Sequence, residues 1–141
     1  MSAFNIYLNF NGKTEEAFNF YKAALGGDFE MMQRFSDAPA NEENPLSAED
    51  ANKIMHVALA LGNGNMLMGS DVPGYLPPAV TGTNFSISIG PDSEADAKRI
   101  FDALSAGGKI TMPLEKAFWG ALFGMCTDKF GIQWMVNYEL K

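Results

Sequence analysis

The chain has 141 residues, with 17 Asp plus Glu against 10 Lys plus Arg, a net charge of −7, and 47% apolar residues. This length suggests one domain, and this apolar share supplies a core without disulfide or metal staples. The acidic balance argues against nucleic acid and anionic membrane surfaces, which both require a basic face, and no stretch approaches the roughly 20 apolar residues of a membrane helix.

The opening segment, MSAFNIYLNFNGK, has no basic region followed by a long apolar run, so no secretory signal is expected. Within it, residues 5–10 alternate: Ile6, Leu8 and Phe10 on one face, Asn5, Tyr7 and Asn9 on the other, the pattern of a half-buried strand. TEEAFNFYKAAL, 14–25, places apolar residues at 17, 18, 21, 24 and 25, one face of a helix. Thr14 is the predicted cap, Glu15 and Glu16 suit the positive end of the helix, and Gly26-Gly27 ends it.

Strands are predicted next at 28–35, 54–61 and 65–69, the last two joined by a hairpin turn at GNG, 62–64. Between the first two lies an acidic excursion, 36–53, with a short helix starting at Ser47. A Pro/Gly-rich connection, SDVPGYLPPAVTGT, spans 70–83. NFSISI, 84–89, alternates again, with Phe85, Ile87 and Ile89 against Asn84, Ser86 and Ser88. SEADAKRIFDAL, 93–104, is a second amphipathic helix, with Ser93 and Asp96 as a capping box. Strands follow at 109–114, 120–127 and 132–138, the last two joined by DKFG, where Gly131 suits a positive φ and Asp128 bonds the turn's own backbone.

The two halves overlay. At an offset of 79 residues Asn5 falls on Asn84, Thr14 on Ser93, Glu15 on Glu94 and Leu25 on Leu104, and each half reads strand-helix-strand-strand-strand. Repeat one runs over about 4–70 and repeat two over about 83–139, within one domain spanning 1–141.

A paired βαβββ repeat resembles the vicinal oxygen chelate superfamily of glyoxalases, bleomycin and fosfomycin resistance proteins and extradiol dioxygenases. YLNFNGKTEEAFNFYKAALGG (7–27), MHVALALGNGNMLMGSD (55–71) and MPLEKAFWGALFGMCTDKFGIQWMVN (112–137) resemble its PhnB-like branch. The resemblance implies an α+β fold of two βαβββ repeats forming curved half-barrel sheets with helices outside, commonly in a homodimer. Its inner faces would line a cleft, with Asn5, Tyr7, Asn9, Asn84, Ser86 and Ser88 turned inward. Without the resemblance, these polar faces would simply meet solvent. Some proteins of the branch carry a ubiquinone methyltransferase label, but no Gly-rich strand-to-helix loop of an S-adenosylmethionine site occurs here.

Metal-dependent members hold a divalent ion through His, Gln or Glu on the first strand of each repeat and on the last strand. Carried over one by one, these positions fall on Asn5, Asn84 and Met135, with Gln133 and Asn137 as neighbours. None is a usual ligand for Zn, Ni, Mn or Fe, so no metal and no other cofactor is expected.

His56 is the only histidine and shares strand parity with Ala58 and Ala60; it is either a structural residue or part of a cleft wall. Cys126, the only cysteine, cannot form an intramolecular disulfide, fits a reducing compartment, and is predicted buried and inert. Trp134 reads as core. Trp119 sits before Gly120 at a bend, as the wall of a cleft or as a core or interface residue. Met66, Met68, Met125 and Met135 would give an adaptable lining if turned inward.

The expected ligand-binding set is Tyr7, His56, Asn84, Ser86, Trp119, Gln133 and Met135. The expected function is that of a cytoplasmic protein binding a small apolar or amphipathic molecule without a catalytic metal. The alternatives are a metal-dependent lyase or isomerase of glyoxalase type working through His56, and an interaction protein with no small ligand.

Overall fold

The computed structural model describes residues 3–39 and 45–140; residues 40–44 of the acidic excursion fall outside the described residues. The chain divides into two compact units, Met1–Val80 and Thr81–Lys141. Each contains one βαβββ module with a four-stranded mixed sheet.

The first unit runs β1 (Ile6–Phe10), α1 (Thr14–Leu25), β2 (Asp28–Arg34), a single 3₁₀ turn (Phe35–Asp37), α2 (Ala48–Ala51), β3 (Ile54–Gly62) and β4 (Asn65–Asp71). Its sheet has the order β1-β4-β3-β2, with β1 parallel to β4 and the other pairs antiparallel. The amphipathic stripe of α1 buries Ala17, Phe18, Tyr21 and Ala24 over β3 and β4, above Leu8, Phe10, Val57, Leu59 and Leu67. Gly69 is part of this packing: a Cβ there would lie 2.7 Å from the Leu8 carbonyl oxygen and 2.8 Å from the Phe18 ring. The hairpin at 62–64 takes positive φ at Gly62, Asn63 and Gly64, as its sequence suggests.

Helix α1 spans the predicted residues, but Thr14 does not cap it. Lys13 holds the cap position without a side-chain bond, and Asp71 takes the role from the end of β4. Its Oδ1 accepts from Gly12 N (2.9 Å), Thr14 N (3.0 Å) and Thr14 Oγ1 (2.7 Å), and its Oδ2 accepts from Ile54 N (2.9 Å). A buried carboxylate therefore satisfies the first N–H of the helix and the turn before it, and ties them to β3. On the same helix end, Arg34 donates to both oxygens of Glu15 at 3.1 and 2.7 Å, which holds the Glu15 carboxyl below its ordinary range. The short helix expected from Ser47 is α2, and Ser47 stands at its cap, accepting from Asp50 N.

The second unit runs β5 (Ile87–Ile89), α3 (Glu94–Ser105), β6 (Lys109–Lys116), β7 (Ala121–Thr127) and β8 (Gln133–Glu139), in the sheet order β5-β8-β7-β6. Ser93 caps α3 through a bond from Asp96 N. The helix buries Ala97, Ile100, Phe101 and Leu104 over β6, β7 and β8, with Gly124 admitting the Phe101 ring. The first strand is shorter than its alternation suggests. Only Ile87, Ser88 and Ile89 pair, with Trp134, Met135 and Val136, so Asn84 to Ser86 precede the strand. Phe85, expected beneath the helix, is 53% exposed. Continuing the parallel register backwards would set residues 84 and 85 against the turn at Gly131 and Ile132, which offers no ladder.

Trp134 is core, as predicted. It is 1% exposed and donates its indole N–H to Asp128 Oδ2 at 2.8 Å, while Asp128 Oδ1 accepts from Phe130 N and Ile132 N. Cys126 beside it is buried, and burial, followed by the charge of Asp128, pushes its thiol up to about 11. Iodoacetamide at pH 8 is therefore expected to leave the folded protein unmodified and to alkylate it only after denaturation, since the thiolate is the nucleophile. The folded state keeps the Cys126 proton that the unfolded chain releases near pH 9. This contribution to stability is fully present below pH 9 and is lost as pH rises towards 11.

Candidate functional site

Each sheet has one face under its helix and one face turned away from it, and strand alternation sorts the expected site residues. In the first unit, Leu67, Gly69 and Asp71 of β4 lie on the helix side, so Met66, Met68 and Ser70 lie on the other. The register carries this face across the sheet. Tyr7 is opposite Met68, Met68 opposite Ala58, and Ala58 opposite Met31. One step along, Asn9 is opposite Ser70, and His56 is opposite Gln33.

Tyr7 and His56 meet on this face. Their rings stack with centroids 5.7 Å apart and planes inclined by 24°, and Tyr7 Oη lies 3.2 Å from His56 Nδ1. Tyr7 is 44% exposed and His56 half-buried, so both present surface to anything that covers the sheet.

In the second unit the corresponding face carries sulfur where the first carries polar groups. Ser88 is opposite Met135, Met135 opposite Met125, and Met125 opposite Met112: three methionines on three adjacent strands at one level. Beside this row Asn137 is opposite Phe123, and Phe123 opposite Glu115.

Trp119 stands in the turn between β6 and β7, where Gly120 takes φ +87° and brings the chain back. The indole is 53% exposed. It packs edge-to-face on Phe118 and on Phe123, with centroids 5.1 and 5.2 Å away, and its N–H points to Asn137 Oδ1 at 3.4 Å. Trp119, Phe123, Met112, Pro113, Ala117 and the stems of Glu115 and Lys116 line an open, mainly apolar groove of ≈ 200 Å³.

The remaining expected residues are dispersed. Gln133 begins β8, and its side-chain amide donates to the Phe85 carbonyl, pinning the segment before β5. Ser86 lies half-buried in that segment, and Asn84 is exposed three residues before the strand. The structure thus joins Tyr7 with His56, and Gln133 with the stretch that holds Asn84 and Ser86. Met135 lies in the methionine row, and Trp119 stands over its neighbour Phe123.

Phe123, Asn137, Met112 and Gln33 were missing from the sequence-based set. Asn137 and Phe123 become visible only through the β7–β8 register. Met112 was hidden by the register shifts on either side of it, which break simple alternation along β6.

The superfamily metal positions do not fit an ion. Asn5 precedes β1, Asn84 precedes β5, and Met135 offers a thioether among thioethers. Two amides and a soft sulfur are a poor donor set for Zn, Ni, Mn or Fe. Among the described residues, no three His, Cys, Asp or Glu side chains gather in a way that could hold a metal.

Comparison with known proteins agrees with this architecture. Residues 4–136 match the family model described as the glyoxalase/bleomycin resistance protein/dioxygenase superfamily. The protein YjdN of Escherichia coli strain K12 is 29% identical over 139 residues, covering 93% of this chain and 91% of that protein. The crystal structure of protein PA1353 from Pseudomonas aeruginosa is 42% identical, with a TM-score of 0.85 and coverage of 99% of this chain and 100% of that one. A Bacillus cereus structure described as a putative 3-demethylubiquinone-9 3-methyltransferase, PhnB protein, is 27% identical, with a TM-score of 0.77 and coverage of 97% and 99%. Among the described residues no helix is long and apolar enough to cross a membrane.

Proposed function

Because the chain belongs to the glyoxalase/bleomycin resistance protein/dioxygenase superfamily, we propose that it binds a small apolar or amphipathic molecule on the sheet faces turned away from its helices, without a catalytic metal. The likeness to YjdN and to the PhnB protein supports placing it in the PhnB-like branch. The observation that carries the reading is Trp119. A half-exposed indole, held edge-to-face on Phe123 and oriented by Asn137, is a preformed flat wall beside an apolar groove. Met112, Met125 and Met135 supply a lining that adapts to the ligand's outline. In the first unit Tyr7 and His56, and in the second Asn84, Ser86 and Gln133, are the polar groups assigned to each unit's own ligand contacts. The methyltransferase description of the Bacillus cereus protein is not extended to this chain, whose β1-to-α1 turn has one glycine, Gly12, and not the Gly-rich loop of an S-adenosylmethionine site.

Trp119→Ala tests the reading. The amphipathic dye anilinonaphthalene sulfonate (ANS) is the probe, followed by its fluorescence on binding. Removal of the indole is expected to weaken ANS affinity about 30-fold, equivalent to about 2 kcal/mol. Unfolding in urea should shift by only about 1 kcal/mol, because half of this side chain already faces solvent. A stability loss of about 3–5 kcal/mol would show Trp119 to be a core residue and remove it from the site.

We also propose a cytoplasmic homodimer. The single buried cysteine supports the reducing compartment, and the family resemblance supports the dimer. Sedimentation equilibrium should give a mass that falls from dimer to monomer on dilution; a monomer at every concentration would exclude it.

A further inference from the structure

Tyr7 and His56 meet away from the helix-packed core. They stack on the helix-free face of the first sheet, both reachable, with a hydroxyl-to-Nδ1 distance of 3.2 Å. A phenol is a better donor than a neutral imidazole; with the Tyr7 hydroxyl donating to Nδ1, the imidazole proton would sit on Nε2, on the far side of the ring.

The surroundings decide what the Nε2–H can meet. Gln33 is opposite His56 on β2. Met68 and Ser70 follow on β4, facing Tyr7 and Asn9 on β1. None of these register positions carries Asp, Glu, Lys or Arg. In a chain with net charge −7, the paired positions around His56 among the described residues carry no carboxylate to repel an anionic oxygen. The apolar neighbours Met31, Met68 and Ala58 lie beside it on the same face.

We propose that Tyr7 and His56 form the polar anchor of a ligand site on the helix-free face of the first sheet, in which Tyr7 holds His56 as the Nε2–H tautomer and that N–H donates to a carbonyl or anionic oxygen on an otherwise apolar molecule. The inference rests on the small-molecule reading above and adds the chemical class of the ligand: an apolar body with one oxygen acceptor. Tyr7 acts here as a positioning residue, and His56 makes the contact.

One histidine gives one imidazole spin system, so long-range proton–nitrogen NMR reads its tautomer directly. At mildly alkaline pH the wild type should show Nε2 protonated and Nδ1 as a hydrogen-bonded acceptor. Tyr7→Phe should return Nδ1 to the shift of a free acceptor. ANS, whose sulfonate offers acceptor oxygens, should move the Nε2 and Hε2 resonances of the wild type. His56→Gln, a surface-face change that keeps a donor at a different reach, should weaken ANS about tenfold, and Tyr7→Phe several-fold.

A proton on Nδ1 would overturn the proposal and leave the small-molecule reading standing. So would ANS affinity in both variants equal to that of the wild type. If the tautomer is as stated but the wild type binds no ANS at all, the small-molecule reading itself falls, and the anchor falls with it.

Discussion

Asp71→Ala is expected to destabilise the protein by about 4 kcal/mol or more, a large part of the ~5–15 kcal/mol that holds a typical domain together. The side chain is 3% exposed, and its two oxygens accept from Gly12 N, Thr14 N, Thr14 Oγ1 and Ile54 N. Removing it takes the acceptor from four donors, three of them buried (Thr14 N, Thr14 Oγ1 and Ile54 N), and each buried orphan costs about 1–3 kcal/mol. Three of the four belong to the turn into α1, and the fourth opens β3. The loss should therefore loosen the β1–α1 junction and the strand that carries His56 together. Asp71→Asn keeps one acceptor oxygen but turns an amide N–H₂ towards one of the donors, so an intermediate loss of about 2 kcal/mol is expected. Urea denaturation of the three proteins should rank wild type, Asn, Ala. An Ala variant within about 1 kcal/mol of the wild type would show that water replaces the carboxylate and that the junction does not depend on it.

Gly27→Ala is the second large effect, and Gly26→Ala is its control. Both glycines have positive φ, +81° at Gly26 (with ψ −154°, a region almost confined to glycine) and +83° at Gly27, where an L side chain is strained by about 1–3 kcal/mol. Their surroundings differ. A Cβ on Gly26 would meet nothing within 4 Å. A Cβ on Gly27 would sit 2.3 Å from the Ala60 carbonyl oxygen and 3.2 Å from the Leu61 side chain. The obstacle is strand backbone, which cannot rotate aside. Gly27→Ala is expected to lose about 3–5 kcal/mol, combining the dihedral strain with overpacking, whereas Gly26→Ala should lose only the strain. Thermal or chemical denaturation of the pair separates the two terms; equal losses would mean that β3 moves away from the helix end without resistance.

These two sites show which parts of the molecule could be read from the chain. Helix α1 was legible to the residue because its apolar stripe, acidic first turn and double glycine are all local signals. Its cap was not. Thr14 has the right chemistry for a cap, but the acceptor that satisfies the helix start is Asp71, brought 57 residues back by the parallel β1–β4 pairing. Sequence spacing holds no trace of such a partner. The repeat was legible because both modules reuse one pattern, and it gave the order of strands and helices correctly. The same repeat misled at 84–86. NFSISI alternates as well as NIYLNF does, yet its partner β8 starts only at Gln133, so the first half of the segment has no ladder to join.

The candidate site was legible in part. Trp119 could be singled out from its position before Gly120, and the polar parity of Tyr7 and His56 was visible along their own strands. The stacking of Tyr7 on His56 depends on β4 lying between β1 and β3, which no local pattern reports. The methionine row depends on three registers and two irregularities in β6. Sequence could count the methionines but not align them.

Metal-free binding at a face built from an indole and thioethers is tested most directly by one titration. ANS is added to protein stripped with EDTA, and again after addition of Zn, Ni or Mn, for the wild type and for Trp119→Ala. The account predicts saturable binding to the stripped wild type, the same affinity with and without each ion, and weaker binding to the variant. Binding that appears only after a divalent ion is supplied, or tightens tenfold or more with it, would contradict the account and restore the metal-dependent chemistry of the superfamily.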